Sequence, residues 1–289
     1  MTPQAYDGWL KRALAEDAAR HDMTSRLVLP QHTRIQAALI AKEPGRLAGV
    51  EFAGRIFTLQ DNSLSIRAAK RDGDAITSGQ PLLMVEGNAR SIFAAERTAL
   101  NLLGHLSGIA TLTRAFVDGI RGTPATIFDT RKTLPGLRLL EKYAVRMGGG
   151  HNHRLGLHDA VLIKTNHLRA LCEAHLVKRT ALIEYAVASA RRAQPRVFLE
   201  VEVTNLRECR AALLEKPDAI LLDNWRVADL RNAVQLRETL RASRVTMLEA
   251  SGGVTLENVR AVANTGVDRI SIGRLTHSAP SLDCSLKVL

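Results

Sequence analysis

The sequence predicts an α/β protein whose larger part is an incomplete barrel of parallel strands. Six apolar runs of strand length follow residue 124, and helix-length stretches separate most of them. Alternating strands and helices favour a parallel sheet, and their even spacing favours a barrel over a doubly wound sheet. Six strands are fewer than the eight that close a TIM barrel. The predicted strands are 125–130, 160–164, 196–204, 219–223, 245–250 and 269–272.

The same reading assigns a smaller α+β module to the N-terminal part. Apolar residues recur at helical spacing within the first twenty residues, and Asp22 then starts a run of cap-like residues. Turn residues separate three strand-sized runs, 35–42, 63–69 and 81–86, and a long helical pattern covers 91–121. Further helices are predicted at 172–192, 206–215, 227–240 and 255–265.

Composition limits the classes of partner. The chain has 289 residues, of which 46% are hydrophobic, so it can bury a sizeable core as one large domain or one large and one small. A formal net charge of +11 suits anionic partners. The arginines are spread along helices between acids, and only 4% of residues are aromatic, so we expect anionic metabolites and not nucleic acid.

The cysteines and the N-terminus indicate a cytoplasmic protein. Cys172, Cys209 and Cys284 are isolated and odd in number, which argues against a disulfide framework or a CxxC metal site. The N-terminal residues lack the pattern of a signal peptide, and no apolar run approaches the roughly 18 residues of a membrane span. We therefore expect a reducing compartment and no membrane association.

Cationic residues cluster where predicted strands end. Arg131 and Lys132 follow the first barrel strand, Lys164 ends the second, and His153 and Arg154 follow a Gly-rich segment between them. Active sites of α/β barrels form at the carboxyl ends of the strands. The cluster therefore predicts a pocket for a small polyanion.

Acidic residues are predicted at the same end. Because side chains alternate along a strand, Glu200 and Glu202 share one face of theirs. The next strand ends in Asp223, and the strand after it carries Glu249. An unpaired carboxylate inside a barrel costs several kcal/mol or becomes neutral, so we expect these acids to meet the cations.

Two glycine-containing turns complete the predicted site. The first is Ser251-Gly252-Gly253, and the second contains Gly273 and leads to His277. Glycine lets backbone N–H groups approach phosphate oxygens, and late loops of a barrel often bind phosphate. Zinc is disfavoured, because the histidines lack the spacing of a helical ligand pair and Arg154 and Lys164 would repel a cation.

The ordered motifs of nearly the whole chain resemble the quinolinate phosphoribosyltransferases. The motifs that carry the resemblance are 21–25, 96–101, 106–111, 129–133, 135–144, 148–154, 162–167, 200–202, 221–224, 249–253 and 271–278. The resemblance implies an N-terminal α/β sandwich domain, 1–110, completed by the tail 276–289. It also implies an open, incomplete, about six-stranded α/β barrel domain at 111–275.

The resemblance implies a reaction and its residues. Quinolinate and 5-phosphoribosyl-1-pyrophosphate would give nicotinate mononucleotide, pyrophosphate and CO2 for NAD synthesis, with Mg²⁺ as cofactor. Arg131, His153, Arg154 and Lys164 would hold quinolinate, and Lys132 would lie near both substrates. The chain would form a homodimer in which Arg97 reaches the partner's site. Glu202 and Asp223 would contact the ribose or Mg²⁺, and Ser251, Gly252, Gly253, Gly273 and His277 would hold phosphates.

Other functions stay open at this point. A paralogous phosphoribosyltransferase could act on nicotinate or another anionic ring, or be linked to molybdenum uptake. A catalytically idle sensor would not need Glu202 and Asp223. The chain also departs from the family pattern at four positions outside the mapped substrate contacts: Met147, His151, Thr165 and Arg274.

Overall fold

The computed structural model describes residues 2–174, 177, 181–240 and 246–289. Its helices are α1 (Asp7–Glu16), α2 (Met23–Val28), α3 (Val50–Gln60), α4 (Ala89–Gly119), α5 (Arg138–Met147), α6 (Thr165–Glu173), α7 (Leu182–Ala193), α8 (Leu206–Glu215), α9 (Val227–Thr239), α10 (Val259–Ala263) and α11 (Arg274–His277). Its strands are β1 (Arg34–Ala41), β2 (Gly45–Arg46), β3 (Ser65–Ala68), β4 (Ala75–Ile76), β5 (Pro81–Asn88), β6 (Thr126–Phe128), β7 (Val161–Ile163), β8 (Leu199–Val203), β9 (Ala219–Asp223), β10 (Met247–Ser251), β11 (Arg269–Ser271) and β12 (Cys284–Val288).

The chain divides into two compact units. The first contains the residues through Arg114, then Leu139–Gly149 and Ser278–Leu289. The second contains Ala115–Arg138 and Gly150–His277. The segment Leu139–Gly149 thus packs with the N-terminal unit, although the boundary proposed from sequence assigns it to the barrel. The contacts of one of its residues explain this, because the Tyr143 hydroxyl lies 2.6 Å from a carboxylate oxygen of Asp72.

The first unit is built on a four-stranded antiparallel sheet in the order β12-β1-β5-β3, with a small β2-β4 pair beside it. Helix α3 packs against β3 and β5 and buries Phe52, Ile56 and Phe57. Its N-terminus is held by Asp72, whose carboxylate accepts the backbone N–H groups of Gly49 at 2.8 Å and Val50 at 2.9 Å. This satisfies two donors that a helix start leaves without partners.

The second unit contains one parallel sheet of six strands in the order β6-β11-β10-β9-β8-β7. The outer strands β6 and β7 are not neighbours, so the barrel is open, as predicted. Residues Ala219 to Leu222 of β9 are all buried, as expected for a parallel strand covered on both faces. Helices α7, α8 and α9 pack against one another in sequence order.

Two aspartates tie the strand starts together. Asp218 precedes β9, and its carboxylate accepts the backbone N–H of Leu199 in β8 at 2.7 Å. Asp268 precedes β11 and accepts that of Leu248 in β10 at 2.7 Å. Each aspartate also exchanges backbone hydrogen bonds with two neighbouring strands. The amino edge of the sheet is therefore fixed by side chains as well as by the ladder.

Several predicted boundaries need correction. The helix predicted over 172–192 is replaced in the described residues by α6 and α7, and residues 175, 176 and 178–180 lie outside them. Val245, the first residue of a predicted strand, also lies outside. The helix predicted at 255–265 shrinks to α10, because the Asn258 side chain accepts from the Thr255 backbone N–H and donates to the Gly253 carbonyl. Such local bonds compete with a helical turn.

Candidate active site

The carboxyl ends of all six barrel strands carry residues predicted for the site. Parallel strands place these ends at one edge of the sheet. In sheet order, the ends carry Arg131 and Lys132 after β6, Gly273 and His277 after β11, Ser251, Gly252 and Gly253 at β10, Asp223 at β9, Glu202 at β8 and Lys164 after β7. One edge therefore assembles residues from the whole length of this unit.

Two arginines form the cationic side of the site. Burial lowers the pKa of Arg154, and the positive charge of Arg131 lowers it further. The Arg154 guanidinium donates to the Ala160 carbonyl at 3.1 Å, just before β7. The buried Nε of Arg131 has no hydrogen-bond partner among the described residues. Like charges held together with an unused donor suit an anionic ligand.

The loop after β6 lies against the loop after β11. The Thr276 hydroxyl donates to the Lys132 carbonyl at 2.6 Å. A Cβ atom on Gly273 would lie 2.9 Å from Cδ of Lys132 and 3.3 Å from the His277 ring. A larger residue at position 273 would therefore push apart two groups predicted to face the substrates.

Asp223 lies close to Glu202 and to the two lysines, Lys132 and Lys164. Burial raises the pKa of Asp223, and the negative charge of Glu202 raises it further. A hydrogen bond from Asn224 and the charges of Lys132 and Lys164 act in the opposite direction on this pKa. These four ionisable side chains thus form one mixed-charge cluster at the carboxyl edge, as the sequence predicts.

Glu202 has a partner that the sequence reading did not identify. The Thr165 hydroxyl donates to Oε1 of Glu202 at 2.7 Å, and its backbone N–H donates to the same oxygen at 3.2 Å. In the sequence, Thr165 stands out only as a departure from the family pattern. It lies at the start of α6, and both of its donors orient the carboxylate.

The turn after β10 requires glycine. Gly252 has φ of +86°, and a Cβ atom there would lie 2.2 Å from Oδ1 of Asn224. Asn224 also has positive φ, +60°, and its N–H donates to the Ser251 carbonyl at 2.8 Å. Gly253 has φ of +62° and open space around it. Asn224 thus supports the turn that the sequence predicts to bind phosphate, a role that the sequence alone does not assign to it.

His153 lies inside the barrel mouth with both ring nitrogens engaged. Its Nε2 is 2.8 Å from Oε2 of Glu200 and 3.5 Å from Oε1 of Glu249. Its Nδ1 accepts the backbone N–H of Arg154 at 2.9 Å. Asp129 holds the same loop from the end of β6, accepting the N–H of His153 at 2.8 Å and the Asn152 amide at 2.6 Å. In the sequence, Asp129 stands out only as part of the motif 129–133, with no role of its own assigned.

The buried acids meet cationic groups, as expected, but Arg269 is one of them and was not predicted. Its Nε lies 2.8 Å from Oε2 of Glu249 without the alignment of a hydrogen bond, and its guanidinium lies 3.9 Å from the centre of the Phe128 ring. Burial raises the pKa of both Glu200 and Glu249 to about 7. Arg269 was missed because it opens a buried strand, where the sequence pattern predicts only core.

Some predicted features lie outside this cluster. Arg97 is exposed on α4 in the first unit, so the geometry of the barrel does not test its role. Of the positions that depart from the family pattern, His151 stacks on Phe128 with ring centres 5.3 Å apart.

No helix of the described residues is long and apolar enough to cross a membrane.

Comparison with known proteins identifies the family. Residues 22–107 match the N-terminal domain of quinolinate phosphoribosyl transferase, and residues 109–287 match its C-terminal domain. The nicotinate-nucleotide pyrophosphorylase (carboxylating) of Mycobacterium leprae is 46% identical over 282 residues, covering 96% of this chain and 95% of that protein. The probable Synechocystis enzyme is 42% identical over 284 residues, covering 98% and 92%.

Solved structures agree with this assignment. The nicotinate-nucleotide pyrophosphorylase from Francisella tularensis superposes with a TM-score of 0.90 at 37% identity, covering 100% of this chain and 98% of that one. The shared fold and the sequence matches extend over both units. The chain belongs to the quinolinate phosphoribosyltransferase family.

Proposed function

We propose that this protein transfers the phosphoribosyl group of 5-phosphoribosyl-1-pyrophosphate to quinolinate, with loss of CO2, to give nicotinate mononucleotide and pyrophosphate for NAD synthesis. The observation that carries the proposal is the mixed-charge carboxyl edge of the barrel in a chain of this family. Arg131, Arg154 and the two lysines are there together with Glu202 and Asp223. One substrate is an aromatic dianion, and the other generates a sugar cation.

The arginines suit the two carboxylates of quinolinate. A guanidinium binds a carboxylate through two parallel hydrogen bonds, whereas a lysine supplies a point charge. Arg131 has an unused buried Nε donor, and Lys164 is exposed at the start of α6. The family resemblance adds His153 to this set, but in this structure its Nε2 lies at hydrogen-bond distance from Glu200 and its Nδ1 accepts the Arg154 N–H, so the ring has no donor left for quinolinate.

The other half of the edge suits phosphoribosyl pyrophosphate. Lys132 interacts electrostatically with Asp223, and its Cδ lies close to Gly273, so its ammonium group suits the phosphoribosyl pyrophosphate position. The loop Ser251–Gly253 and His277 would hold phosphate oxygens, because glycines in such turns expose backbone N–H groups. The family pattern assigns the same positions to phosphate.

Glu202 and Asp223 provide the negative charge that the reaction needs. As the bond between the anomeric carbon and pyrophosphate breaks, positive charge develops on the ribose, and a nearby carboxylate stabilises it. The ring nitrogen of quinolinate supplies the electron pair of the new bond. In the second stage the bond from C2 to its carboxylate breaks, CO2 leaves, the cationic ring accepts the electron pair, and a proton from water replaces the carboxylate.

The same two acids suit Mg²⁺, which we propose as the cofactor. Carboxylate oxygens are the ligands that this hard cation prefers. One oxygen of Glu202 accepts from Thr165, and one oxygen of Asp223 accepts from Asn224, so the neighbouring bonds orient both carboxylates. Bound Mg²⁺ would neutralise charge on the departing diphosphate.

We further propose a homodimer in the cytoplasm, in which Arg97 of one protomer enters the site of the other. The support is its exposure on α4 together with the matching family motif. Mixing Arg97→Ala and Lys164→Ala protomers tests this, because heterodimers would regain one intact site of two. Mixtures without recovered activity would contradict a shared site.

The reaction itself is tested by measuring CO2 released from quinolinate. We expect release only when phosphoribosyl pyrophosphate and Mg²⁺ are both present, and nicotinate should not replace quinolinate as acceptor. A folded protein that releases no CO2 would refute the proposal. Formation of nicotinate mononucleotide from nicotinate instead would favour the paralogous activity.

A further inference from the structure

A buried network connects the barrel interior to the main chain of Arg154. The side chains of Glu200 and Glu249 are 1% and 0% exposed, and that of His153 is 10% exposed. His153 touches both acids through Nε2 and touches the N–H of Arg154 through Nδ1. Arg269 contacts Glu249, and its guanidinium lies over the Phe128 ring.

The two contacts of the ring define its tautomer. A nitrogen that accepts an N–H carries no proton, so Nδ1 is bare and the ring proton is on Nε2. This proton is donated to Glu200. The ring therefore acts as a spacer between a carboxylate in the interior and the backbone of the residue that carries the Arg154 guanidinium.

A metal ion is the competing explanation for these three residues. His153, Glu200 and Glu249 place one ligand atom each within 4.8 Å of one another. A histidine that binds metal through Nε2 normally donates its Nδ1–H to an acceptor. Here Nδ1 is itself the acceptor, so metal on Nε2 would require a ring without any proton. The positive charge of Arg269 also opposes a cation at this place.

The main chain of Arg154 must be fixed because its guanidinium is repelled by a neighbouring arginine. Its guanidinium is close to that of Arg131, so the two positive charges repel and each disfavours the position of the other. Two hydrogen bonds fix the main chain here. The Asp129 carboxylate accepts the N–H of His153, and the His153 ring accepts the N–H of Arg154. Fixing the main chain lowers the entropy that is lost when the guanidinium orders around an anion.

We propose that Glu200, Glu249 and Arg269 are positioning residues for the dicarboxylate side of the site, acting through the His153 ring on Arg154. The inference rests on the proposed function. It assigns the acids of the interior to substrate orientation and those of the edge, Glu202 and Asp223, to the sugar and its leaving group. Loss of the interior network should therefore weaken quinolinate binding selectively.

The test compares Glu200→Gln with Glu200→Leu. Glutamine keeps an oxygen that accepts from Nε2, whereas leucine removes it at similar volume. We expect E200L to raise the KM for quinolinate about tenfold, with kcat and the KM for phosphoribosyl pyrophosphate within about twofold of wild type. E200Q should stay within about threefold for all three parameters. Arg237→Lys, a change of another buried arginine in the same unit, is the matched control and should leave both KM values unchanged.

Equal effects of E200Q and E200L, or equal changes in the KM of both substrates, would overturn the proposal. If E200L does not fold, Glu249→Leu replaces it, and we expect the same selective rise in the KM for quinolinate, of smaller magnitude. Nitrogen-15 spectra of labelled histidines, with His153→Gln used to assign the signal, should show the Nε2–H tautomer. An Nδ1–H tautomer, an imidazolium, or stoichiometric metal lost on His153→Gln would also overturn it.

Failure of the proposed function gives a different result. In that case wild-type protein would not turn over quinolinate, while the histidine spectra would still show the Nε2–H tautomer. A normal wild-type enzyme with unselective E200L kinetics would instead refute only the positioning role.

Discussion

The two edges of the barrel sheet use charge in opposite ways. At the amino edge, Arg191 pairs with Asp218 at 2.7 Å and Arg237 pairs with Asp268. Both aspartates also accept backbone N–H groups of neighbouring strands. At the carboxyl edge, the ion pairs of the described residues include none of Arg131, Lys132 and Lys164.

This difference separates charged side chains that stabilise the fold from charged side chains that are available to bind a ligand. Removing an arginine at the amino edge leaves its partly buried aspartate without an ion-pair partner, which lowers the stability of the fold. Among the described residues, Arg131, Lys132 and Lys164 form no close ion pair, so the removal of any one of them costs the fold little. Mutations at the two edges should therefore separate unfolding from activity.

The largest effect on activity is expected for Arg131→Ala. It removes the donor group with the unused buried Nε. We expect kcat/KM for quinolinate to fall by about a hundredfold or more, since a charged bidentate contact is lost. Thermal unfolding should change little. A large loss of melting temperature would place Arg131 with the structural charges and contradict the comparison.

The opposite result is expected for Arg237→Ala at the amino edge. Its side chain is 7% exposed, while that of Asp268 is 37% exposed. Because Asp268 remains partly exposed to solvent, we expect the free energy of unfolding to fall by about 2 to 3 kcal/mol, which is somewhat less than the cost of breaking a fully buried pair. Urea unfolding measures this, and the KM values of the folded fraction should match wild type.

Two neighbouring glycines at the carboxyl edge provide a matched pair. Gly252→Ala combines positive φ with a clash against Asn224, whereas Gly253→Ala has positive φ but open space. We expect about 1 to 3 kcal/mol of destabilisation and a raised KM for phosphoribosyl pyrophosphate from the first, and about 1 kcal/mol from the second. Equal effects in unfolding and kinetics would show that the Asn224 contact has no role.

The interior acids should give a pH dependence of stability. Burial raises the pKa of Glu249 from 4.5 to about 7, so between these pH values the folded state holds more protons than the unfolded chain. The contribution of Glu249 to stability therefore falls as pH rises through this window and is constant above it. The melting temperature of Glu249→Gln relative to wild type should rise between pH 5 and 7, by scanning calorimetry at about half-unit steps. A constant difference would contradict the raised pKa.

The smallest effect is expected for Thr165→Val. The change removes the hydroxyl donor to Glu202 but keeps the backbone donor to the same oxygen. We expect a rise of about threefold in the KM for phosphoribosyl pyrophosphate, with quinolinate binding unchanged, as kinetics with each substrate varied in turn would show. An effect on quinolinate instead would mean that Glu202 serves the dicarboxylate side.

Sequence patterns predicted the open barrel and most of the edge because strand ends and polar motifs coincide along the chain. β9 and α8 have the predicted bounds, and Glu202, Asp223, Lys132 and Lys164 lie in one cluster as expected. Each of these residues follows or ends a recognisable apolar run, and parallel topology places such ends together. Period-two alternation also correctly placed Glu200 toward the interior.

Other features depend on contacts between residues distant in sequence, which local pattern does not encode. Arg269 lies within a buried strand and meets Glu249 only through sheet pairing. The helical segment Leu139–Gly149 joins the first unit, where Tyr143 contacts Asp72. The late start of α10 depends on the hydrogen bonds of the Asn258 side chain with Thr255 and Gly253. The tautomer of His153 depends on two partners, of which only Arg154 is its chain neighbour.

Asp218 and Asp268, the aspartates before β9 and β11, limit which parts of this scaffold can change in evolution. By bonding to β8 and β10 they lock the alignment of successive strands from one side, so a slip of a single position would break several bonds at once. Insertions or deletions in the opposite loops leave that alignment untouched. The loops at the carboxyl edge can therefore vary in length without a change in the register of the strands that support them.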